Sequence, residues 1–223
     1  GSSQTGPGAS VDILSGSSEQ MTGGSLLVQS GASGVIRSGL VTVESASSLD
    51  SGDTGDVRLQ SGDSHSGSSG DITFNSGPAS FSSGSILIVG GKGNHFNGGD
   101  VILQAGHAES SSGGNVNILS GASKMRYSGI IRLRTSKGES SGLLSLRTSR
   151  GEVSSGSISI ASGNAVSKAG DIEISSGSSS SSAGGNIVLI AGKTEAVEGG
   201  GGSVSVAGGD GENGGIGGGI IMK

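Results

Sequence analysis

Pairs of apolar residues separated by one residue recur along almost the whole chain, and polar or glycine-rich stretches lie between them. The clearest copies are 70–77, 99–106, 114–121 and 170–177. Each reads glycine, then Asp or Asn, then apolar–x–apolar–x, then Ser or Ala, then glycine. A spacing of two is the period of a β-strand, and the Val and Ile residues that dominate these positions favour strands. The pattern therefore predicts one short strand in each copy.

The copies follow one another at a nearly constant distance, because the first apolar residue recurs mostly every 14 to 16 residues. We place this residue at Val11, Leu26, Val41, Val57, Ile72, Ile86, Val101, Val116, Ile131, Leu144, Ile158, Ile172, Ile187, Val204 and Ile221. Segments this short cannot bury an apolar face alone, whereas copies stacked on one another can. The sequence therefore predicts an all-β fold, a parallel β-solenoid (β-helix) of about fifteen repeats of about 15 residues, with one or two repeats per coil.

The same spacing sets the predicted domain organisation. We expect a disordered lead over 1–9, a single solenoid repeat domain over 10–223, and a loosely ordered glycine-rich end at 199–219. Many of the polar stretches also carry one larger apolar residue, nine or ten places after the first apolar position. We interpret these residues as a second wall that faces the strand pair across the coil. They are Met21, Ile36, Phe81, Phe96, Met125, Val153 and Val197.

Composition limits how thick any folded form can be. Of 223 residues, 48 are Gly and 50 are Ser, while hydrophobic residues make up 30% and aromatic residues 2%. Such a composition is typical of disordered chains, but a disordered linker has no reason to keep Val and Ile in register throughout. There is too little apolar bulk for a layered domain, so the predicted fold is thin.

Charge and residue usage exclude several classes of partner. The net charge is −5 with 14% charged residues, which favours neither nucleic acid nor an anionic membrane as a partner. No apolar run approaches the length of a membrane span. Cysteine is absent, which excludes disulfides and thiolate metal sites. We expect no cofactor, no nucleic-acid partner and no membrane partner.

Aspartates directly before the predicted strands are the candidates for a metal site. In stacked coils, Asp71, Asp100 and Asp171 would belong to a ladder of polar side chains about 4.8 Å apart. Carboxylate oxygens suit calcium, whereas an Asp in a turn more often accepts a hydrogen bond from a nearby backbone N–H. We prefer the turn interpretation and predict no metal site. These three aspartates are the weak candidates for metal ligands.

Apolar residues also occupy outward positions of the predicted strands. Either they form a patch that binds a partner, or loops fold back over them. Those predicted to contact a partner are Leu87, Val89, Ile102, Val188 and Ile190.

Arginines concentrate in the ninth and tenth copies. Arg132, Arg134 and Arg147 could bind a polyanion, because guanidinium groups bind sulfate, phosphate or silicate oxygens well. The alternative is a solvated stripe paired with Glu139 and Glu152, and we prefer it. The three arginines are included among the predicted partner contacts.

Signatures of catalysis are missing from the sequence. No Gly-x-Ser-x-Gly stands at a strand-to-helix turn, and no acidic cluster of the kind found in carbohydrate-cleaving β-helices is present. The sequence predicts no catalytic residues and no enzyme activity.

The phrase shared by 70–77, 99–106, 114–121 and 170–177, with Ser runs between copies, resembles Gly/Ser-rich β-solenoid repeat proteins of the kind predicted in diatoms and related algae. The resemblance implies a secreted protein of the extracellular matrix or cell wall, although the sequence carries no secretion signal.

The expected function is structural and non-catalytic. We expect a stiff rod that self-associates, end to end or laterally, into extracellular fibres or a cell-wall or matrix coat. The alternative is a module that binds an extended surface of ice, mineral or polysaccharide. Ice binding would require a regular ladder of threonines, and only Thr42 and Thr73 fit one.

Overall fold

The computed structural model describes residues 6–48, 50–212 and 214–222. Throughout these ranges the chain has neither an α-helix nor a β-strand. The predicted all-β fold, a parallel β-solenoid or β-helix, is therefore wrong. Residues 1–5 of the predicted lead lie outside the described ranges, and residues 6–9 are exposed.

The backbone hydrogen bonds explain why the strand pattern does not produce a sheet. A solenoid strand bonds to the next coil along its whole length. Here, instead, bonds join the two ends of one connection: the Gly24 N–H donates to the Gly16 carbonyl oxygen at 2.8 Å, and Gly99 donates to Gly91 at 2.9 Å. Within the described ranges, eight connections close on themselves in this way. Two inward residues per copy bury little apolar surface, while glycine loses more conformational entropy than any other residue when it is fixed.

Two units make up the chain, Gly1–Asn117 and Ile118–Lys223, and the division falls inside the eighth copy. Each unit repeats the same two parts, a short segment that carries the apolar pair and a connection that leads to the next segment. We call the glycine–glycine closure of a connection its neck. The first unit has necks at Gly16/Gly24, Gly31/Gly39, Gly91/Gly99 and Gly106/Gly114, and the second at Gly121/Gly129, Gly177/Gly185, Gly192/Gly202 and Gly209/Gly218.

The neck tolerates connections of different length. The bonded glycines are eight to ten residues apart, and their N···O distances are 2.8–3.0 Å. Segments of this length with adjoining ends are Ω-like loops. The glycine-rich end at 199–219 contains necks of the same kind, and Gly214 adopts a left-handed conformation with φ of 85°. That conformation favours glycine because a Cβ would be strained there.

Small residues are required on both sides of a neck. A Cβ placed on Gly39, Gly129 or Gly185 would lie only 3.1–3.3 Å from the Cβ of the serine that ends the preceding segment. At Gly90 a Cβ would collide with the Gly99 carbonyl oxygen, and at Gly208 with that of Gly218. Eight of the described residues are half-buried, and all of them except Ala108 are small residues at the end of a segment. They are Ser30, Ser45, Ser61, Gly90, Ala105, Ala108, Ser120 and Ala191.

Serine side chains shape the bend in the middle of many connections. The Ser18 hydroxyl oxygen accepts a hydrogen bond from the Met21 N–H at 3.0 Å, and Ser123 accepts one from Arg126 at the same distance. Such local bonds fix a turn without any regular secondary structure. Ser33, Ser64 and Ser179 act in the same way.

Among the described residues no side chain is buried, so these parts of the chain have no hydrophobic core. The larger apolar residues of the connections are 81–103% exposed, at or beside the bends. The predicted second wall that faces the strand pair is therefore wrong. These residues are Met21, Ile36, Phe81, Phe96, Met125, Val153 and Val197. Among the described residues, backbone closure of the connection carries all of them except Phe81 and Val153 away from the apolar pair.

Candidate self-association surface

From the third to the fourteenth copy, the apolar pair has nearly the same environment. From Val41 to Val204 the first residue of the pair is 45–58% exposed, and from Val43 to Val206 the second is 60–77% exposed. Near-constant exposure over a dozen copies means that the local geometry repeats with the sequence. Within each unit the result is a periodic apolar surface, about half or more of which no other part of the described chain covers.

The final copy departs from its predicted register by one residue. The neck at Gly209/Gly218 places Gly218 where Gly24 and Gly39 stand in earlier copies. The first apolar position is therefore Ile220, which is 51% exposed, and the predicted Ile221 is 81% exposed. Consecutive isoleucines hide this shift in the sequence.

The predicted outward apolar residues lie beside the pairs and are 69–85% exposed. No connection in the described ranges folds over them, so the alternative that loops cover them is wrong. Leu87 and Val89 flank Ile88, and Val188 and Ile190 flank Leu189, so 86–89 and 187–190 are apolar at every position. These residues, with Ile102, enlarge the apolar surface.

The total accessible area shows how much surface remains uncovered. The chain exposes 23089 Å² at a mass of 21.2 kDa. A folded monomer of this mass exposes about 9,000 Å², and an unfolded chain about 31,000 Å². The area thus lies much closer to the unfolded value, although the repeats share one local geometry.

The arginines predicted to contact a partner form no ion pair with any residue that the structure describes. Ion pairs elsewhere join Asp56 to Arg58 and Lys193 to Glu195. Over 124–150, a stretch that the structure describes completely, no Lys or Arg forms one. The preferred interpretation, a stripe of cations paired with Glu139 and Glu152, therefore lacks the ion pairs that it requires in the described chain.

Shallow depressions accompany these cations. One, of about 520 Å³, is lined by Arg147 and Arg150 together with Ser145, Thr148 and Ser149. Another, of about 440 Å³, is lined by Arg134, Thr135, Ser136, Lys137 and Ser141. Cationic groups and hydroxyls therefore face the same solvent-filled concavities, where they can donate hydrogen bonds to carboxylate, sulfate or phosphate oxygens.

The aspartates considered as metal ligands are not brought together. Within the described ranges no three His, Asp or Glu side chains converge on a point where an ion could bind. Asp171 lies 3.9 Å from Lys168, an exposed contact. The side-chain bonds that fix turns come from the serines described above, and neither Asp71 nor Asp100 is seen to make one in the described part of the chain.

The described part of the chain contains no helix that is long and apolar enough to cross a bilayer.

Sequence reasoning missed the neck and the turn serines. A signal for both was present: Ser18, Ser33, Ser64, Ser123 and Ser179 each stand two residues after the glycine that ends a segment. That Gly-x-Ser recurrence marks where these five connections bend.

Comparison with protein-family models, with curated proteins and with solved structures gives no match.

Proposed function

We propose that the chain is a non-catalytic structural protein that self-associates through its periodic apolar surface. The observation that carries the proposal is the recurrence of a half-exposed apolar pair in copy after copy, while the described residues contain no core to receive it. Burial of apolar surface is the main stabilising contribution available to such a chain, and only another molecule can supply the missing cover.

The size of the uncovered surface supports association of several copies. The area in excess of a folded monomer is about 14,000 Å², whereas an obligate dimer interface buries about 2,000–5,000 Å². One partner therefore covers only part of the surface. Lateral association into a fibre or coat covers more of it with every copy added.

Periodicity favours a second copy of this chain as the partner. A second copy carries apolar pairs at the same steps of mostly 14 to 16 residues, so contacts can form at many repeats at once. An unrelated protein surface would match only a few of them. The resemblance to Gly/Ser-rich repeat proteins supports an extracellular matrix or cell-wall location for the assembly.

Sedimentation velocity over a hundredfold range of concentration tests the proposal. We expect a monomer at low concentration and, above a threshold, species much larger than a dimer, with fibres or sheets in negative-stain micrographs. The dilute sample serves as the reference for the monomer, so this experiment needs no control variant. A single monomeric species at all concentrations would contradict the proposal.

A further inference from the structure

We infer that the copies associate in a stagger set by charge, with an acidic segment of one copy docked on a basic segment of the next; the inference rests on the proposed function. The basic segment is 132–150, and the acidic segment is 44–63. The basic segment carries five cationic side chains and one carboxylate, whereas the acidic segment carries five carboxylates and one arginine. The two segments are nearly equal in length and opposite in charge.

The charges of both segments are available to a partner. The cations of the basic segment are Arg132, Arg134, Lys137, Arg147 and Arg150, all exposed and without an ion pair in the described chain. In the acidic segment only Asp56 is paired, with Arg58 at 2.8 Å. Glu44, Asp50, Asp53 and Asp63 are exposed and form no ion pair with the described residues.

Alignment of parallel copies in register is disfavoured by these charges. Without a stagger, each basic segment would lie beside another basic segment and each acidic segment beside another acidic one. Like charges held together at an interface are destabilising. Because the apolar pairs recur along the chain, a shift by a whole number of repeats keeps the pairs matched and relieves the repulsion.

A shift of six repeats brings the two segments together. It aligns Val41 of the third copy with Ile131 of the ninth. It also aligns Val57 of the fourth copy with Leu144 of the tenth, and all four are first apolar positions. Glu44 then occupies the same repeat position as Arg134, since each is three residues beyond its first apolar residue.

The connections match as well. Asp50 and Asp53 lie in the connection that follows the third copy, and Lys137 lies in the one that follows the ninth. Asp63 and Arg150 are each six residues beyond their first apolar residue. Arg58 falls opposite the neutral Ser145, so it opposes no cation.

The stagger makes association open-ended. Each contact uses the acidic segment of one copy and the basic segment of another, and it leaves the other two segments free for further copies. Contacts of this heterologous type produce fibres rather than closed dimers.

Charge reversal in the full chain tests the inference. The basic-reversed variant carries Arg132→Glu, Arg134→Glu, Arg147→Glu and Arg150→Glu. The acid-reversed variant carries Glu44→Lys, Asp50→Lys, Asp53→Lys and Asp63→Lys. Each is expected to raise the threshold concentration for association, measured by light scattering, by about tenfold, because each loses the pairs at Glu44/Arg134 and Asp63/Arg150 and places like-charged segments beside one another. An equimolar mixture of the two is expected to restore the wild-type threshold.

A third variant controls for net charge. It carries Asp100→Lys, Glu109→Lys, Glu173→Lys and Asp210→Lys, which change the charge by the same amount as the acid reversal. We expect its threshold to shift by less than about threefold, and we expect it not to restore association of the basic-reversed variant.

The outcomes separate the inference from the proposed function. Variants that associate at the wild-type threshold, or a mixture that restores nothing, would overturn the stagger while self-association itself stands. Heparin serves as a polyanion probe. If the basic-reversed variant loses heparin binding but associates at the wild-type threshold concentration, the basic segment binds a polyanion and the inference is overturned. A wild-type chain that remains monomeric overturns the proposed function and the stagger together.

Discussion

Replacing Ile72, Ile131 and Ile172 together by serine is expected to raise the threshold concentration for self-association by about 100-fold. These first-position residues are 45–52% exposed in the single chain, so a partner copy can cover about half of each side chain. Full burial of such a side chain stabilises by about 1.5–3 kcal/mol, and half of that over three positions gives roughly 3 kcal/mol. Sedimentation velocity or light scattering measures the threshold.

Apolar residues at the bends provide the matched control. Phe81→Ser, Phe96→Ser and Val197→Ser together remove at least as much apolar surface, but these side chains are 91–103% exposed and lie away from the apolar pairs. We expect a shift in threshold of less than about threefold, because lone exposed apolar side chains contribute little to a regular interface. A larger effect from this triple variant than from the isoleucine variant would show that the contacts lie at the bends.

Opening one neck is expected to have the second large effect. Gly90→Ala places a Cβ against the Gly99 carbonyl oxygen, so the closure of this connection must shift. The Gly99 N–H then loses its 2.9 Å bond to the Gly91 carbonyl oxygen. A backbone hydrogen bond contributes about 1 kcal/mol, so exchange of the Gly99 amide hydrogen, followed by NMR, is expected to accelerate about fivefold.

The neighbouring glycine gives a control that differs only in the direction of the added methyl. A Cβ on Gly91 meets nothing within 4 Å, so Gly91→Ala is expected to leave Gly99 exchange within about twofold of the wild-type rate. The same comparison applies to Gly208→Ala and Gly209→Ala, because a Cβ on Gly208 meets the Gly218 carbonyl oxygen and one on Gly209 meets open space. Equal effects of the two substitutions in each pair would contradict the account of the neck.

The sequence specifies the repeat far better than the way in which its copies pair. Spacing of two at Ile72 and Phe74 identifies positions whose exposure recurs from copy to copy, and glycine directly follows most of the segments. It does not state which backbone groups bond to one another. A sheet needs a ladder of N–H and carbonyl groups between copies, whereas Gly24 and Gly39 direct their N–H groups to the preceding glycine of the same connection.

The candidate surface could likewise be predicted only in part, because the sequence shows which residues recur but not which residues they contact. Leu87 and Val188 were predicted from their outward place in the repeat and Arg147 from the clustering of arginines along the sequence, and their contact with a partner stays a prediction. The ion pairing of the arginines could not be predicted, because it depends on where Glu139 and Glu152 are placed. In the described ranges neither glutamate pairs with an arginine. Serine turns escaped notice because one serine among fifty carries no signal until the repeat frame is aligned.

Hydroxyl-radical footprinting with mass spectrometry, below and above the association threshold, tests the central claim most directly. We expect the modification rate of first-position residues such as Ile72 and Ile131 to fall on association, since a second copy then covers them. The rate at Phe81 and Phe96 is expected to remain unchanged. Equal rates for Ile72 and Ile131 in the dilute and the associated samples would contradict the claim that these residues form the self-association surface.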